Sequence, residues 1–325
     1  MSSGVTTRSQ SAVEVDAVIT RRRAEADGVI SLTLSAVSGG QMPPWEPGAH
    51  IDVLLPDGME RQYSLCGDPA DSTTWKIAVL REEAGRGGSR WLHDNATQGE
   101  HLRVRGPRNN FPLVDAERYL FIGGGIGITP LMTMVAEAER NGAAWNLVYG
   151  GRRADSMAFR EELAAYGDRV RILPEDEHGL LDIVGLIGSA TDDTIVYCCG
   201  PTGLLDVVQK QCDDRFPGNL HIERFAPVEP VGPREGDQPV EVVCEYSEKT
   251  IMVPADKSIL DALVEAGVDV ESSCSEGTCG TCEIAVRAGI PDHRDSLLTA
   301  QERESGETML VCVSRAMTDR LVLDI

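Results

Sequence analysis

The chain has 325 residues, and its 52 Asp+Glu against 30 Lys+Arg leave a formal net charge of −22 at pH 7. That length accommodates two or three domains with separate cores. So large an acidic excess, with no basic patch interleaved with aromatics, excludes a nucleic-acid binder, and nine unevenly spread cysteines do not make a secreted disulfide scaffold.

The opening MSSGVTTRSQSAVEV contains no apolar run, so no signal peptide is expected and residues 1–11 read as a frayed, disordered terminus. From about 12 to 112, short alternating runs such as HIDVLL (50–55), QYSLC (62–66) and WKIAVL (75–80) are separated by the turn clusters PDG and GDPADS. This pattern predicts antiparallel β structure closed into a small barrel. Within it RQYSLC puts Arg61 and Tyr63 on one face of a strand and Gln62 and Ser64 on the other. RGGSRWLH (86–93) follows, in which Ser89 is placed to start a short helix beside Gly88, a second phosphate cradle.

Residues 119–136, YLFIGGGIGITPLMTMVA, have the length and low charge of a membrane span, but four glycines and a proline inside it argue for strand, turn and helix. From about 113 to 226 such strand and helix segments alternate, which predicts a parallel sheet with helices on both faces. GGGIGITP (123–130) and CCGPTGLL (198–205) both fall at strand-to-helix turns, which such a sheet gathers on one edge. The first reads GxGxxP and departs from the GxGxxG dinucleotide fingerprint; it suits a phosphate-bearing ligand at a helix N-terminus. In GGRRADS (150–156), Arg152 and Arg153 suit a 2′-phosphate, whereas Asp155 suits a free ribose hydroxyl.

Residues 227–238 are proline-rich and without apolar period, a semi-rigid linker. Beyond them, 239–325 hold 17 Asp+Glu against 7 Lys+Arg, a net of −10 that offers a docking face to a basic partner. VEVVCEY and TIMVP predict a hairpin, and SILDALVEAG a helix with a capping box between Ser258 and Asp261. Then comes SSCSEGTCGTC. With Cys312, after 29 intervening residues, it spaces Cys274, Cys279 and Cys282 as C-x4-C-x2-C…C, the plant-type spacing for a [2Fe-2S] cluster. Zinc sites favour two paired C-x2-C arms, which this stretch lacks. The remaining cysteines are scattered and odd in number, which suits free thiols in a reducing cytoplasm.

Taken in order, these motifs resemble the phthalate dioxygenase reductase family, FMN-containing reductases of the ferredoxin-NADP reductase-like group. RQYSLC resembles the family's RxYS flavin motif, GRGGS its flavin-phosphate segment, GGGIGITP its nucleotide glycine loop and CCGP its nicotinamide-site CGP. CSEGTCGTC with Cys312, and PDHRDSLLTAQER between, resembles the family's C-terminal ferredoxin domain. The resemblance implies an FMN-binding β-barrel, an NAD(P)H-binding α/β domain and a β-grasp [2Fe-2S] domain.

By this resemblance Arg61 holds the FMN phosphate, Tyr63 lies along the flavin ring, Ser64 sits near its N5, and Gly88 and Ser89 close over the phosphate. Gly125, Gly127 and Thr129 cradle the NAD(P)H pyrophosphate, Cys199 and Gly200 border the nicotinamide, and Phe225 lies near the flavin; Arg152 is the candidate at the adenosine end from its place in GGRRADS alone. The implied activity is electron delivery from NADH through FMN and the cluster to a terminal oxygenase, of Rieske or cytochrome P450 type, by a cytoplasmic monomer. Two other readings stay open: an FAD reductase of similar layout, and a cluster-binding redox sensor that turns nothing over.

Overall fold

A computed structural model describes residues 13–56, 58–216 and 218–325, so the expected frayed N-terminus lies outside the described residues. The chain forms two compact units, Met1–Ile222 and Glu223–Ile325.

The first unit opens with six strands: β1 (Val13–Ala26), β2 (Val29–Ala36), β3 (His50–Leu54), β4 (Glu60–Ser64), β5 (Trp75–Leu80) and β6 (His101–Arg108), in the order β4-β3-β6-β1-β2-β5. Each strand pairs antiparallel with its neighbours in that order. The two edge strands meet where Leu65 bridges Ile77 and the Cys66 N–H donates to the Lys76 carbonyl at 2.8 Å, which closes the expected barrel. Ile19, Leu32, Leu34, Ile51, Val53, Trp75, Ile77 and Leu92 fill it and are fully buried. Helix α1 (Gly88–Asn95) contributes Leu92 to that core.

A second sheet follows in the same unit, made of β7 (Arg118–Gly124), β8 (Ala144–Gly151), β9 (Val170–Pro174), β10 (Ile195–Cys199) and β11 (Leu220–Glu223), ordered β11-β10-β7-β8-β9. β10, β7, β8 and β9 run parallel. Their runs LFI, LVY and IVYCC are apolar throughout because both faces are covered. Helices α2 (Ile128–Arg140) and α3 (Arg160–Ala164) cover one face; α4 (Glu175–His178) follows β9, and α5 (Ile183–Ser189) and α6 (Thr202–Arg215) pack over the other. Helix α5 escaped the sequence reading: it has seven residues, two glycines and an Asp182 N-cap that accepts from the Gly185 N–H at 2.9 Å. The strand order reverses between β10 and β8 around β7, so ligands are expected outside the carboxyl ends of these strands.

The second unit carries a sheet ordered β13-β12-β18-β14-β16: β12 (Val240–Cys244), β13 (Lys249–Val253), β14 (Glu283–Ala288), β16 (Thr308–Leu310) and β18 (Arg320–Leu323). β15 (Pro291–Asp292) and β17 (Arg315–Ala316) form a separate short ladder. β12 and β13 are the predicted hairpin, β12 and β18 pair parallel, and α7 (Ile259–Glu265) lies against the sheet with Ile259 and Leu263 fully buried. Ser258 accepts from the Asp261 N–H at 3.0 Å, but Asp261 returns its bond to the Ser258 hydroxyl and not to the main chain. The reciprocal capping box is at α8 (Ala300–Ser305), between Thr299 and Glu302. The proline-rich stretch expected as a linker makes bonds of its own within this unit. Val228 donates to Ser296, and Asp237 lies against Arg294.

Candidate functional site

In the cysteine loop Gly277 and Gly280 have φ of 70° and 74°, and even Ser275 takes the left-handed region at 55°, so the chain winds tightly enough to turn main-chain N–H groups inward. The Glu276 N–H donates to Cys274 Sγ at 3.3 Å and the Thr281 N–H to Cys279 Sγ at 3.4 Å. Thr281 Oγ1 lies 3.1 Å from Cys279 Sγ.

Cys274, Cys279, Cys282 and Cys312 are each at most 6% exposed, and none is in a disulfide. Hydrogen bonds from the Cys279 and Cys312 thiols pull the Cys274 thiol well below its ordinary range, and the same bonds, with burial, push Cys279 and Cys312 up. Cys282 acts on Cys312 in the same way, which links the four thiols electrostatically. Four thiols gathered with main-chain donors aimed at sulfur are the chemistry an iron-sulfur cluster requires, and the residues fit the group.

On the barrel, β3 and β4 pair Val53 with Arg61, Ile51 with Tyr63 and His50 with Ser64, which keeps Arg61 and Tyr63 on the predicted common face. Arg61 donates to the Arg86 carbonyl at 3.1 Å and to the Glu60 carbonyl at 2.7 Å. Its stem lies directly on Gly88, where an added Cβ would meet Arg61 Cγ at 2.5 Å and Nε at 2.8 Å. A guanidinium therefore flanks the opening turn of α1, which has no acidic residue, and an anion fits there. Ser89 Oγ accepts from the Glu82 N–H at 3.0 Å, so its own proton is available to donate. Tyr63 is half-buried against the barrel core, and burial raises its hydroxyl pKa.

At the carboxyl edge of the parallel sheet the two glycine turns interlock. Cys199 is in register with Gly123. A Cβ on Gly127 would sit 2.4 Å from the Cys199 carbonyl oxygen, and one on Gly200 would sit 2.9 Å from Gly124 Cα, so main chain packs on main chain. Gly125 differs: its φ is 55° and no atom lies within 4 Å of its absent Cβ, so its main chain faces open space beside the start of α2. Thr129 is buried, and its hydroxyl donates to the Ile126 carbonyl at 3.0 Å. Cys199 is fully buried in the core shared with the barrel residue Cys66, whose thiol burial pushes up to about 12.

Farther out, Arg153 is taken by Asp155 at 3.1 Å and by Asp27 of the β1–β2 turn at 3.0 Å, while Arg152 is exposed. Phe225 belongs to the second unit and is 44% exposed. The sequence reading missed a polar group opposite Gln62: Asp52, fully buried, accepts from Arg108 at 2.6 Å and from Arg105 at 3.2 Å. No local motif marks it, because strand register alone gathers β3 and β6.

Two family models match the chain: a 2Fe-2S iron-sulfur cluster binding domain over residues 242–317 and an oxidoreductase NAD-binding domain over 121–210. The solved phthalate dioxygenase reductase superposes with a TM-score of 0.71 at 34% identity, covering 97% of this chain and 98% of that one. This chain belongs to the phthalate dioxygenase reductase family. A phenoxybenzoate dioxygenase subunit beta from Ectopseudomonas oleovorans is 43% identical, over 92% of this chain and 94% of its own length. An intact type IV self-sufficient cytochrome P450 monooxygenase matches at 42% identity and a TM-score of 0.88, with 96% of this chain covering 41% of that longer one. The family's cofactors are FMN, a [2Fe-2S] cluster and NADH, and the chain is an NAD(P)H-dependent electron-transfer oxidoreductase. Among the described residues no helix is long and apolar enough to cross a membrane.

Proposed function

We propose that this protein is the reductase component of an oxygenase system and passes electrons from NADH to a separate terminal oxygenase. The four-thiol cage at Cys274, Cys279, Cys282 and Cys312, on the same chain as the interlocked glycine turns, carries the reading. Bound FMN supplies the ability to take an electron pair as hydride and release the electrons singly. Arg61 and the first turn of α1 would hold its phosphate, with Gly88 leaving room and Ser89 donating; Tyr63 and Ser64 would line the ring. The open main chain at Gly125 and the N-terminus of α2, which Gly127 and Thr129 shape, receive the dinucleotide's pyrophosphate. Cys199 and Gly200 wall the nicotinamide end and exclude water, and Arg152 stands at the adenosine end. Cys274, Cys279, Cys282 and Cys312 would together hold the [2Fe-2S] cluster, which supplies one-electron transfer.

The acceptor is an iron oxygenase of Rieske type. A cytochrome P450 is the second reading, favoured by the 42% identity to the fused monooxygenase. The protein acts as a monomer, and its place is the cytoplasm, a reducing compartment that its nine free thiols suit. Anaerobic reconstitution with FMN, iron and sulfide, then NADH with each acceptor class, tests the assignment. Reduction of a Rieske oxygenase at least tenfold faster than a P450 is expected; no NADH-dependent reduction of either discards the function. A kcat/KM ratio for NADH over NADPH below one discards the nucleotide assignment.

A further inference from the structure

Three bonded layers connect the proline-rich segment to the cysteine loop. In the outermost, the Val228 N–H donates to Ser296 Oγ at 2.9 Å, Arg234 pairs with Glu229, and the Arg234 N–H donates to Asp237 Oδ2 at 2.8 Å. In the middle layer Asp237, with a side chain only 7% exposed, accepts two bonds from the equally buried Arg294, at 2.5 and 2.9 Å. That pairing holds its carboxyl down to about 2. Arg315, also buried, donates to the carbonyls of Gln238, Lys257 and Pro254. Innermost, the Arg294 N–H donates to Ser314 Oγ at 3.1 Å and the Ser296 N–H to the Gly277 carbonyl at 2.8 Å, within the loop that carries the cysteines.

An exposed connector does not need a buried aspartate held by two buried arginines, because desolvating such groups is costly unless their geometry is specific. We propose that residues 228–238 are a strap belonging to the ferredoxin domain, and that Asp237 is a positioning residue whose pairing with Arg294 keeps the tether between the units short. This rests on the electron-transfer reading above. The covalent tether then runs only from the end of β11 at Glu223 to Val228, through residues 224–227. With the strap released it runs through 224–238. The effective concentration of one domain at the other falls roughly as the −3/2 power of tether length, so flavin-to-cluster electron transfer slows roughly sevenfold on full release.

The test uses the reconstituted full chain, Asp237→Asn, and Val228→Pro, which removes the N–H donated to Ser296 Oγ and fixes φ at 228. Limited trypsin cleavage after Arg234, read by mass, reports the strap independently of activity. It is expected to be at least tenfold faster in Asp237→Asn and about two- to tenfold faster in Val228→Pro. Stopped-flow reduction of the cluster by NADH is expected to slow by up to roughly sevenfold in Asp237→Asn and by less in Val228→Pro, with the NADH-to-flavin phase, the cluster spectrum and its midpoint potential unchanged. Cleavage at the wild-type rate in both variants overturns the strap. An unchanged cluster-reduction rate with faster cleavage overturns its control of transfer, and a shifted midpoint potential reassigns the effect to the cluster itself. Absence of NADH-driven cluster reduction in the wild type would instead defeat the electron-transfer reading.

Discussion

Gly127→Ala is the most direct probe of the interlocked turns. Its new Cβ would lie 2.4 Å from the Cys199 carbonyl oxygen, 2.5 Å from that carbonyl carbon and 2.6 Å from the Gly200 N. All three are main chain, so no side chain can rotate away and one turn must move by most of an ångström. Overpacking of this kind costs roughly 1–3 kcal/mol, which in a unit of this size lowers Tm by about 3–10 °C. The displaced turns also carry the nucleotide, and misplacement near 1 Å costs on the order of 100-fold in rate. Gly203→Ala, early in α6 with nothing within 4 Å of its Cβ, is the control and is expected to be neutral or stabilising by about 0.4–1 kcal/mol. The assay is kcat/KM for NADH with ferricyanide, an acceptor that needs no cluster, alongside thermal unfolding. Wild-type kcat/KM and Tm in Gly127→Ala would refute the packing argument; a loss matched by Gly203→Ala would show that the clash is not its cause.

Cys279→Ser is expected to abolish the cluster's visible spectrum while ferricyanide reduction stays within about twofold of wild type, and a full [2Fe-2S] spectrum in that variant removes the ligand assignment. Arg61→Ala deletes charge-assisted bonds worth roughly 1.5–3 kcal/mol, so FMN affinity falls about 10- to 150-fold by fluorescence titration; a change below threefold places the phosphate elsewhere. His221 stacks on Tyr197 at 4.7 Å, and burial lowers its pKa below the usual 6.5. The folded chain therefore binds fewer protons than the unfolded one just below pH 6.5. This part of the stability is full above 6.5 and declines as pH falls through it; His221→Gln should flatten that slope of Tm against pH, and an unaltered slope counts against it. Electron delivery to the oxygenase should slow with added salt if the −10 segment steers docking, and a salt-independent rate argues for an uncharged contact face.

Much of the site was legible because its chemistry is local. C-x4-C-x2-C is a property of one loop, and the glycines around it admit inward N–H groups wherever the loop is placed. Arg61 and Tyr63 share a face because strand alternation demands it, and the two glycine turns meet because parallel strands bring their carboxyl ends to one edge. Helix α5 was not legible: seven residues with two glycines carry too little period.

What only the tertiary structure decided involves partners far apart in the chain. Asp52 with Arg105 and Arg108, Arg153 with Asp27, and Asp237 with Arg294 are separated by 53 or more positions. No periodicity encodes such pairs, since each arises only when barrel register, sheet edge or ferredoxin core brings its members together. Composition alone marks 227–238 as a linker; the buried ion pair that holds it exists only after the second unit has folded around Arg294. The sequence by itself thus determined the kinds of site and their order, through short-range geometry. Folding determined which charges are paired, because a charge finds its partner through space and not along the chain.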